Sequence, residues 1–181
     1  MNSDIEKILV SEEEIAKANE RLGKELTKEY AGKNPLFVCI LRGAAMFMMD
    51  LIKHVDIPME YDFMDVSSYG GENTTTTGDV RIIKDLDTSL RGRDVVIVED
   101  IIDTGYTLDR LVKLFETREA NSIKLVSFLD KPSRRIKHVK VDYIGVQIPD
   151  AFVVGYGMDY NEHYRNLPYV GVLKPDVYST K

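Results

Sequence analysis

Residues 95–107 read VVIVEDIIDTGYT and combine an apolar run, an acid pair and a loop of small and polar residues. Its β-branched run, Val95–Val98, predicts a strand that is buried on both faces. The acid pair Glu99-Asp100 and an Asp-Thr-Gly-Tyr-Thr loop follow the run, and the apolar spacing of residues 105–119 predicts a helix. A buried strand that leads through a polar loop into a helix is typical of α/β domains with a parallel sheet.

The rest of the chain repeats this alternation of strands and helices. Apolar runs predict further strands at residues 36–41, 59–66, 80–84, 123–129 and 141–148. Ser11 and Glu14 have the spacing of a capping box at the start of one helix, and a second helix is predicted from Ala44 to about His54. We therefore expect one α/β domain over residues 1–181, with a mainly parallel central sheet flanked by helices and an antiparallel excursion on one side.

Composition and charge argue against several classes of protein. The length of 181 residues matches one domain, and 30 acids against 24 bases give a net charge of −6. This balance disfavours broad binding to nucleic acid or to an anionic membrane. The first residues carry charge where a signal peptide needs an apolar stretch, and no run approaches the roughly 18 apolar residues of a membrane helix. The lone Cys39 lies in an apolar run and fits a reducing compartment, so we expect a cytoplasmic protein.

The loop Asp103–Thr107 has the features of an anion site. It lies at the predicted start of a helix, where backbone N–H groups and the helix dipole favour negative charge. A phosphate fits there, but the three carboxylates of residues 99–103 would repel it. A bridging Mg²⁺, or sugar hydroxyls that donate to Glu99 and Asp100, would remove that conflict. The stretch lacks the Gly-Lys-Ser/Thr of a Walker motif and the glycine pattern of a dinucleotide site.

Residues 67–78, SSYGGENTTTTG, interrupt the order of strands and helices. Three glycines, four consecutive threonines and no aliphatic residue give this segment nothing that could anchor it to a core. It is therefore either a flexible surface loop or a mobile lid over a site, and the residues leave both interpretations open.

The stretch VVIVEDIIDTGYTL resembles the phosphoribosyl-pyrophosphate signature of the type I phosphoribosyltransferase family. Further segments in matching order narrow the resemblance to the members that act on hypoxanthine and guanine: ILRGA at 40–44, SSYG at 67–70, DKP at 130–132 and FVVGYGMDYNEHYRNLPYVGVL at 152–173. The likeness covers about residues 35–175. It implies the type I phosphoribosyltransferase-like fold with a small hood and a mobile loop, Mg²⁺ as cofactor, and a homodimer or homotetramer.

The resemblance implies roles around the sugar phosphate. Asp103 would act as the general base or acid on the proton at purine N7. Glu99 and Asp100 would hold the ribose hydroxyls, directly or through Mg²⁺. The residues implied to bind the 5′-phosphate, mainly through backbone N–H groups, are Thr104, Gly105, Tyr106 and Thr107.

The resemblance also implies roles around pyrophosphate and the base. The turn Arg42-Gly43 would contact pyrophosphate and, in this family, involves an unusual cis peptide bond. Arg165 would bind the same pyrophosphate, and Asp159 would contact a second Mg²⁺ and the base pocket. The remaining residues are Lys131, which would read the exocyclic O6, Phe152, which would stack on the base, Val153, whose backbone would contact the base edge, and Ser68 and Tyr69 in the lid.

The reaction that the resemblance implies is purine salvage. Ribose-5-phosphate would pass from phosphoribosyl pyrophosphate to hypoxanthine or guanine, giving IMP or GMP and pyrophosphate. Taken singly, however, Phe152 is typical of a core residue, Asp159 and Arg165 of a surface loop, and residues 131–140 of a solvated basic loop or a nucleic-acid patch. Two alternatives therefore stay open: a regulator that senses phosphoribosyl pyrophosphate and binds RNA or DNA, and the same reaction on xanthine or another base.

Overall fold

Two sheets organise the part of the chain that the computed structural model describes, residues 1–68 and 80–179. In chain order the elements are β1 (Ile5–Val10), α1 (Glu12–Glu29), β2 (Leu36–Leu41), α2 (Ala45–Leu51), β3 (Glu60–Ser68), β4 (Val80–Lys84), β5 (Asp94–Ile102), α3 (Tyr106–Thr117), β6 (Ser122–Asp130), β7 (Tyr143–Gln147), β8 (Val153–Val154), β9 (Val170–Leu173) and α4 (Pro175–Tyr178). None of these described helices is both long enough and apolar enough to cross a membrane.

The larger sheet has the strand order β4-β3-β2-β5-β6-β7. β2 pairs in parallel with β3 and β5, and β6 pairs in parallel with β5 and β7, whereas β4 is antiparallel to β3. The expected mainly parallel sheet with an antiparallel excursion is confirmed. Because parallel strands end on the same edge of a sheet, the loops that follow β2, β5 and β6 meet at one place.

β5 is the central strand, and it is longer than its β-branched run. Val95–Val98 are fully buried, as predicted. The ladder with β6 continues past them, with Glu99 opposite Ser127 and Ile102 opposite Asp130. The expectation that the strand ends before the acid pair is therefore wrong: pairing with β6 keeps Glu99 and Asp100 extended, as part of the strand.

Helices cover both faces of the larger sheet. Alternate β5 residues face opposite ways: Val96 and Val98 belong to the core under α1 and α2, and Val95 and Ile97 to the core under α3. On the first face the Phe47 and Phe128 rings lie 5.2 Å apart between centroids. The capping box predicted for α1 is present, with Glu14 N–H donating to Ser11 Oγ at 3.3 Å and Ser11 N–H donating to Glu14 Oε2 at 2.8 Å.

The smaller sheet, with strand order β1-β9-β8, is antiparallel and corresponds to the hood that the resemblance implies. It joins the two ends of the described chain, because Ile5 in β1 pairs with Leu173 in β9. Val153 in β8 pairs with Val172 in β9, so the hood carries a predicted base-contact residue.

Candidate active site

Three loops with predicted functional residues meet at the carboxyl edge of the larger sheet. Arg42-Gly43 follows β2, Asp103 follows β5 and Lys131 follows β6. The backbone N–H of Lys131 donates to the carbonyl of Ile102 at 3.0 Å, which ties the β6 loop to the end of β5. The edge therefore brings together residues that are up to 89 positions apart in the chain.

The loop before α3 has the geometry of an anion cradle. Gly105 caps α3 with φ of +86°, a left-handed conformation that favours glycine, and a Cβ there would lie 2.8 Å from the carbonyl oxygen of Lys137. The Thr104 carbonyl accepts from the N–H groups of Ile136 and Lys137 at 3.0 and 2.9 Å. The first N–H groups of α3 have no acceptor within the helix, which makes this end suitable for a phosphate. Thr104, Gly105, Tyr106 and Thr107 all lie at this end.

The carboxyl groups of Glu99 and Asp100, at the end of β5, are buried away from solvent. Burial, with the neighbouring charge of Asp100, raises the pKa of Glu99 well above its usual value. Burial also raises the pKa of Asp100 to about 6, against the opposing effect of a 2.6 Å hydrogen bond that Asp100 Oδ1 accepts from the N–H of Ile101. Glu99 Oε2 is buried with no hydrogen-bond partner. Two adjacent carboxylates in this position favour a cation or hydroxyl donors beside them.

The turn after β2 packs directly on Asp100. The peptide bond between Leu41 and Arg42 is cis, as the resemblance implies for this turn. A Cβ on Gly43 would lie 1.6 Å from Asp100 Oδ2, and a Cβ on Gly157 would lie 2.0 Å from the Gly43 carbonyl oxygen. Both positions therefore require glycine, because the backbone approaches its neighbours so closely.

The two arginines predicted to bind pyrophosphate converge on one acid that the sequence analysis did not identify. Arg42 Nη1 and Arg165 Nη2 lie 3.1 and 3.2 Å from Glu162 Oε2. Arg165 Nη2 also lies 2.9 Å from Asp159 Oδ1, and its Nη1 donates to the Gly157 carbonyl at 2.9 Å. An anionic ligand could replace these carboxylates, because guanidinium groups bind phosphate through the same donors.

The predicted base residues share a cavity of about 790 Å³ at the same edge. Its lining includes Asp100, Asp103, Lys131, Phe152, Val153 and Asp159, together with Arg134, Asp150 and Tyr178. Lys131 is 8% exposed, whereas Phe152 is 40% exposed, so its aromatic ring is partly open to the cavity. A groove of about 830 Å³ beside α1 and α2, mainly apolar, contains none of the predicted site residues.

Comparison with known proteins identifies the family. Residues 7–161 match the family model of the phosphoribosyl transferase domain. The chain is 61% identical over 180 residues to the hypoxanthine-guanine phosphoribosyltransferase of Bacillus subtilis (strain 168), with 99% of each chain covered. It is 58% identical over 179 residues to the same enzyme of Lactococcus lactis, with 99% of this chain and 97% of the other covered. A crystal structure of a hypoxanthine phosphoribosyltransferase from Staphylococcus aureus superposes with a TM-score of 0.95 at 52% identity, covering 99% and 97% of the two chains. The chain belongs to the hypoxanthine-guanine phosphoribosyltransferase family.

Enzymes of this family generally need a divalent metal ion. The donor set fits one, because Glu99 and Asp100 supply carboxylate oxygens and Glu99 Oε2 has no partner of its own. Among residues 1–68 and 80–179, however, the structure contains no cluster of three or more histidine, cysteine or acidic side chains arranged to hold a metal ion. A divalent ion that binds through one or two carboxylates, with waters and substrate phosphates as its other ligands, does not require such a cluster.

Several predicted residues do not line the cavity, and most of the predicted lid lies outside the described residues. Arg42, Gly43, Glu99, Thr104–Thr107 and Arg165 are not part of its lining. The backbone of Ser68 ends β3, and its side chain is not described. Tyr69 and the rest of the predicted lid, residues 69–78, lie outside the described residues.

Two interpretations that rested on a single residue or a short run taken alone are wrong. The interpretation of residues 131–140 as a solvated loop is wrong for Lys131, which is buried, and for Arg135, which pairs with Asp130. The interpretation of Phe152 as a core residue is also wrong. The sequence analysis assigned no role to Arg134, Asp150, Glu162 or Tyr178, although the basic run that contains Arg134 was visible.

Proposed function

We propose that this chain transfers ribose-5-phosphate from phosphoribosyl pyrophosphate to hypoxanthine or guanine and forms IMP or GMP and pyrophosphate. This is a pentosyltransferase reaction of purine salvage. The observation that carries the proposal is one cavity in which Asp103, Lys131 and Phe152 lie together, beside the anion cradle at the start of α3. A purine bound in the cavity would therefore lie next to a sugar whose 5′-phosphate occupies the anion cradle, as the transfer requires.

The base side of the reaction rests on three residues of the cavity. Phe152 would stack on the purine ring, and Lys131 would donate to its exocyclic O6. Asp103, part-exposed in the cavity, would accept the proton that the purine loses as its nitrogen attacks C1′. Stacking and the lysine together would hold that nitrogen in line with the breaking C1′–O bond.

The sugar side rests on the end of β5 and the loop that follows it. The N–H groups at the start of α3 would bind the 5′-phosphate, and Glu99 and Asp100 would accept hydrogen bonds from the ribose hydroxyls. Positive charge develops on the ribose as the C1′–O bond breaks, and nearby carboxylates stabilise it. Arg42 and Arg165 would leave their carboxylate partners and bind the departing pyrophosphate.

Mg²⁺ is the cofactor that we propose for this site. Glu99 and Asp100 would hold one ion and Asp159 would contact a second, with substrate oxygens and waters completing both shells. A bound Mg²⁺ neutralises charge on phosphate oxygens, which makes pyrophosphate a better leaving group.

A spectrophotometric assay tests the function directly. Purified protein is incubated with phosphoribosyl pyrophosphate and hypoxanthine, guanine, xanthine or adenine, with Mg²⁺ or with a chelator. We expect turnover of hypoxanthine and guanine that needs the metal, and none of adenine, which carries an amino group in place of O6. Turnover of xanthine in preference to both would favour the alternative substrate, and no turnover of any base would contradict the proposal.

We also propose that residues 1–181 form one domain, that the protein is cytoplasmic and that it forms a homodimer or homotetramer. Burial raises the pKa of the Cys39 thiol to about 12, so this thiol is inert, which suits a protein without structural disulfides.

Limited proteolysis checks the single domain, and light scattering at micromolar concentration checks the assembly. A monomer mass would contradict the last proposal.

A further inference from the structure

Arg134 holds the proposed acid–base residue by a direct hydrogen bond. Its Nε donates to Asp103 Oδ1 at 2.9 Å, and both side chains are partly exposed, at 46% and 38%. Arg134 lies at the end of a single 3₁₀ turn, Pro132–Arg134, that follows β6 and the base-reading Lys131. The end of β6 and this turn therefore place two cations, Lys131 and Arg134, in the cavity, the second of them against Asp103.

An acid links these two cations. Asp150 Oδ2 lies 3.6 Å from Arg134 Nη1, and Asp150 Oδ1 lies 4.0 Å from Lys131 Nζ. All four side chains line the same cavity. The result is a chain of ion pairs, Lys131–Asp150–Arg134–Asp103, that connects the residue proposed to read the base with the residue proposed to move the proton.

The main chain around Asp103 is tied to the same segment. Arg135 Nε donates to the Asp103 carbonyl at 3.2 Å, and the next two N–H groups, of Ile136 and Lys137, donate to Thr104. The backbone that carries Arg134 is thus fixed relative to the backbone that carries Asp103. An arginine held in this way can orient a carboxylate, because its Nε–H points in a direction set by the planar guanidinium.

We propose that Arg134 is a positioning residue for Asp103, an inference that rests on the proposed function. A carboxylate has two oxygens, and Arg134 binds Oδ1, which leaves Oδ2 to accept the purine proton. In catalytic sites generally, the side chain that acts as general base is itself held in position by a neighbouring polar group. Asp150 keeps Arg134 in place when the ligand is absent, and it couples the orientation of Asp103 to the position of Lys131.

The test compares Arg134→Gln, Arg134→Lys and a matched control, Arg91→Gln, in Mg²⁺-dependent turnover of hypoxanthine. Arg91 also forms an exposed ion pair, with Glu119, away from the cavity. We expect Arg134→Gln to lower kcat by about tenfold, less than the roughly 10²–10⁴-fold effect of losing an acid–base group. The KM values for both substrates and the Tm should stay near those of the control, because an exposed ion pair contributes little to stability. Arg134→Lys should recover kcat in part, since it keeps the charge but lacks the planar Nε donor.

A double-mutant cycle separates positioning from other roles. If Arg134 acts through Asp103, Arg134→Gln changes kcat by less than about twofold in an Asp103→Asn background. An unchanged kcat for Arg134→Gln in the wild-type background would overturn the inference. So would a raised KM for hypoxanthine with kcat intact, or full recovery by lysine. A wild-type protein that turns over no purine would instead contradict the proposed function, so the two failures are distinguishable.

Discussion

The rings of Phe152 and Tyr178 are stacked, with centroids 4.7 Å apart and planes inclined by 20°. Tyr178 ends the short helix α4, which follows the last strand of the hood. Tyr160 approaches the same Phe152 ring at 5.6 Å with a nearly perpendicular plane. The ring proposed to hold the purine is therefore itself held by aromatic neighbours, one of which comes from the C-terminal end of the described chain.

Replacing Tyr178 should weaken binding of the base. An aromatic pair contributes about 0.5–1.5 kcal/mol beyond burial, so Tyr178→Ala should raise the KM for hypoxanthine by about two- to tenfold. The KM for phosphoribosyl pyrophosphate should not change. Tyr61→Ala is a matched control, because the exposed Tyr61 contacts Phe63 edge to face at 5.7 Å, and neither residue lines the cavity. A lower KM for hypoxanthine in Tyr178→Ala would show instead that Tyr178 occupies the place of the base.

Removal of the Asp103 carboxylate should affect the chemical step more than binding. Asp103→Asn keeps the shape of the side chain but cannot take up the purine proton, so kcat should fall by about 10²–10⁴-fold. Binding of IMP, measured by calorimetry, should stay within about tenfold of wild type, since stacking on Phe152 and the phosphate contacts remain. Unchanged turnover would remove Asp103 from the mechanism.

Local sequence signals predicted most of the larger sheet but little of the hood. β2 and β4 have the bounds predicted for them, because each is a short stretch rich in apolar residues between polar or turn residues. β1 was missed, since IEKILV mixes charged and apolar residues and its partner β9 is at the other end of the chain. Such pairing depends on tertiary contacts that no short window contains.

The same dependence on tertiary contacts explains which site residues could be predicted from the sequence. Asp103 and Lys131 each follow a buried strand within a recognisable motif, so their place at the sheet edge follows from the fold. Arg134 is one of several bases in a run, and its hydrogen bond to Asp103 depends on a 3₁₀ turn and on the loop after β7, which brings Asp150 against it. Tyr178 lies in a helix of four residues, too short to give an apolar period.

The raised pKa of Asp100 should make the metal-free protein less stable as pH rises. In the unfolded chain this carboxyl titrates near pH 3.8, and burial moves its pKa to about 6 in the folded protein. Between these values the folded state binds more protons, so the free energy of unfolding decreases as pH increases through this window. At neutral pH the ionised form then costs on the order of 2–3 kcal/mol.

Asp100→Asn removes this cost and also lowers the pKa of Glu99, because the neighbouring negative charge is lost. Urea unfolding in a chelator should therefore find the variant more stable than wild type at pH 8, with a smaller difference at pH 4. Asp87→Asn, at an exposed acid outside the cavity, is the control. A difference between wild type and Asp100→Asn that does not vary with pH would contradict this account of the buried acid.

The contact between Gly43 and Asp100 should make even a methyl group intolerable. In Gly43→Ala the added Cβ would lie 1.6 Å from Asp100 Oδ2 and 2.6 Å from its Cγ, so the carboxylate must move. Because Asp100 is proposed to hold the ribose hydroxyls and Mg²⁺, the KM for phosphoribosyl pyrophosphate should rise by about tenfold or more, and the Mg²⁺ concentration for half-maximal turnover should rise with it. Gly92→Ala is the control: its φ of +70° makes the change unfavourable, but the new Cβ meets no atom within 4 Å, so stability decreases while both constants stay unchanged. Normal constants in Gly43→Ala would mean that Asp100 can move without loss of substrate binding, and that its carboxylate does not hold the sugar or the metal.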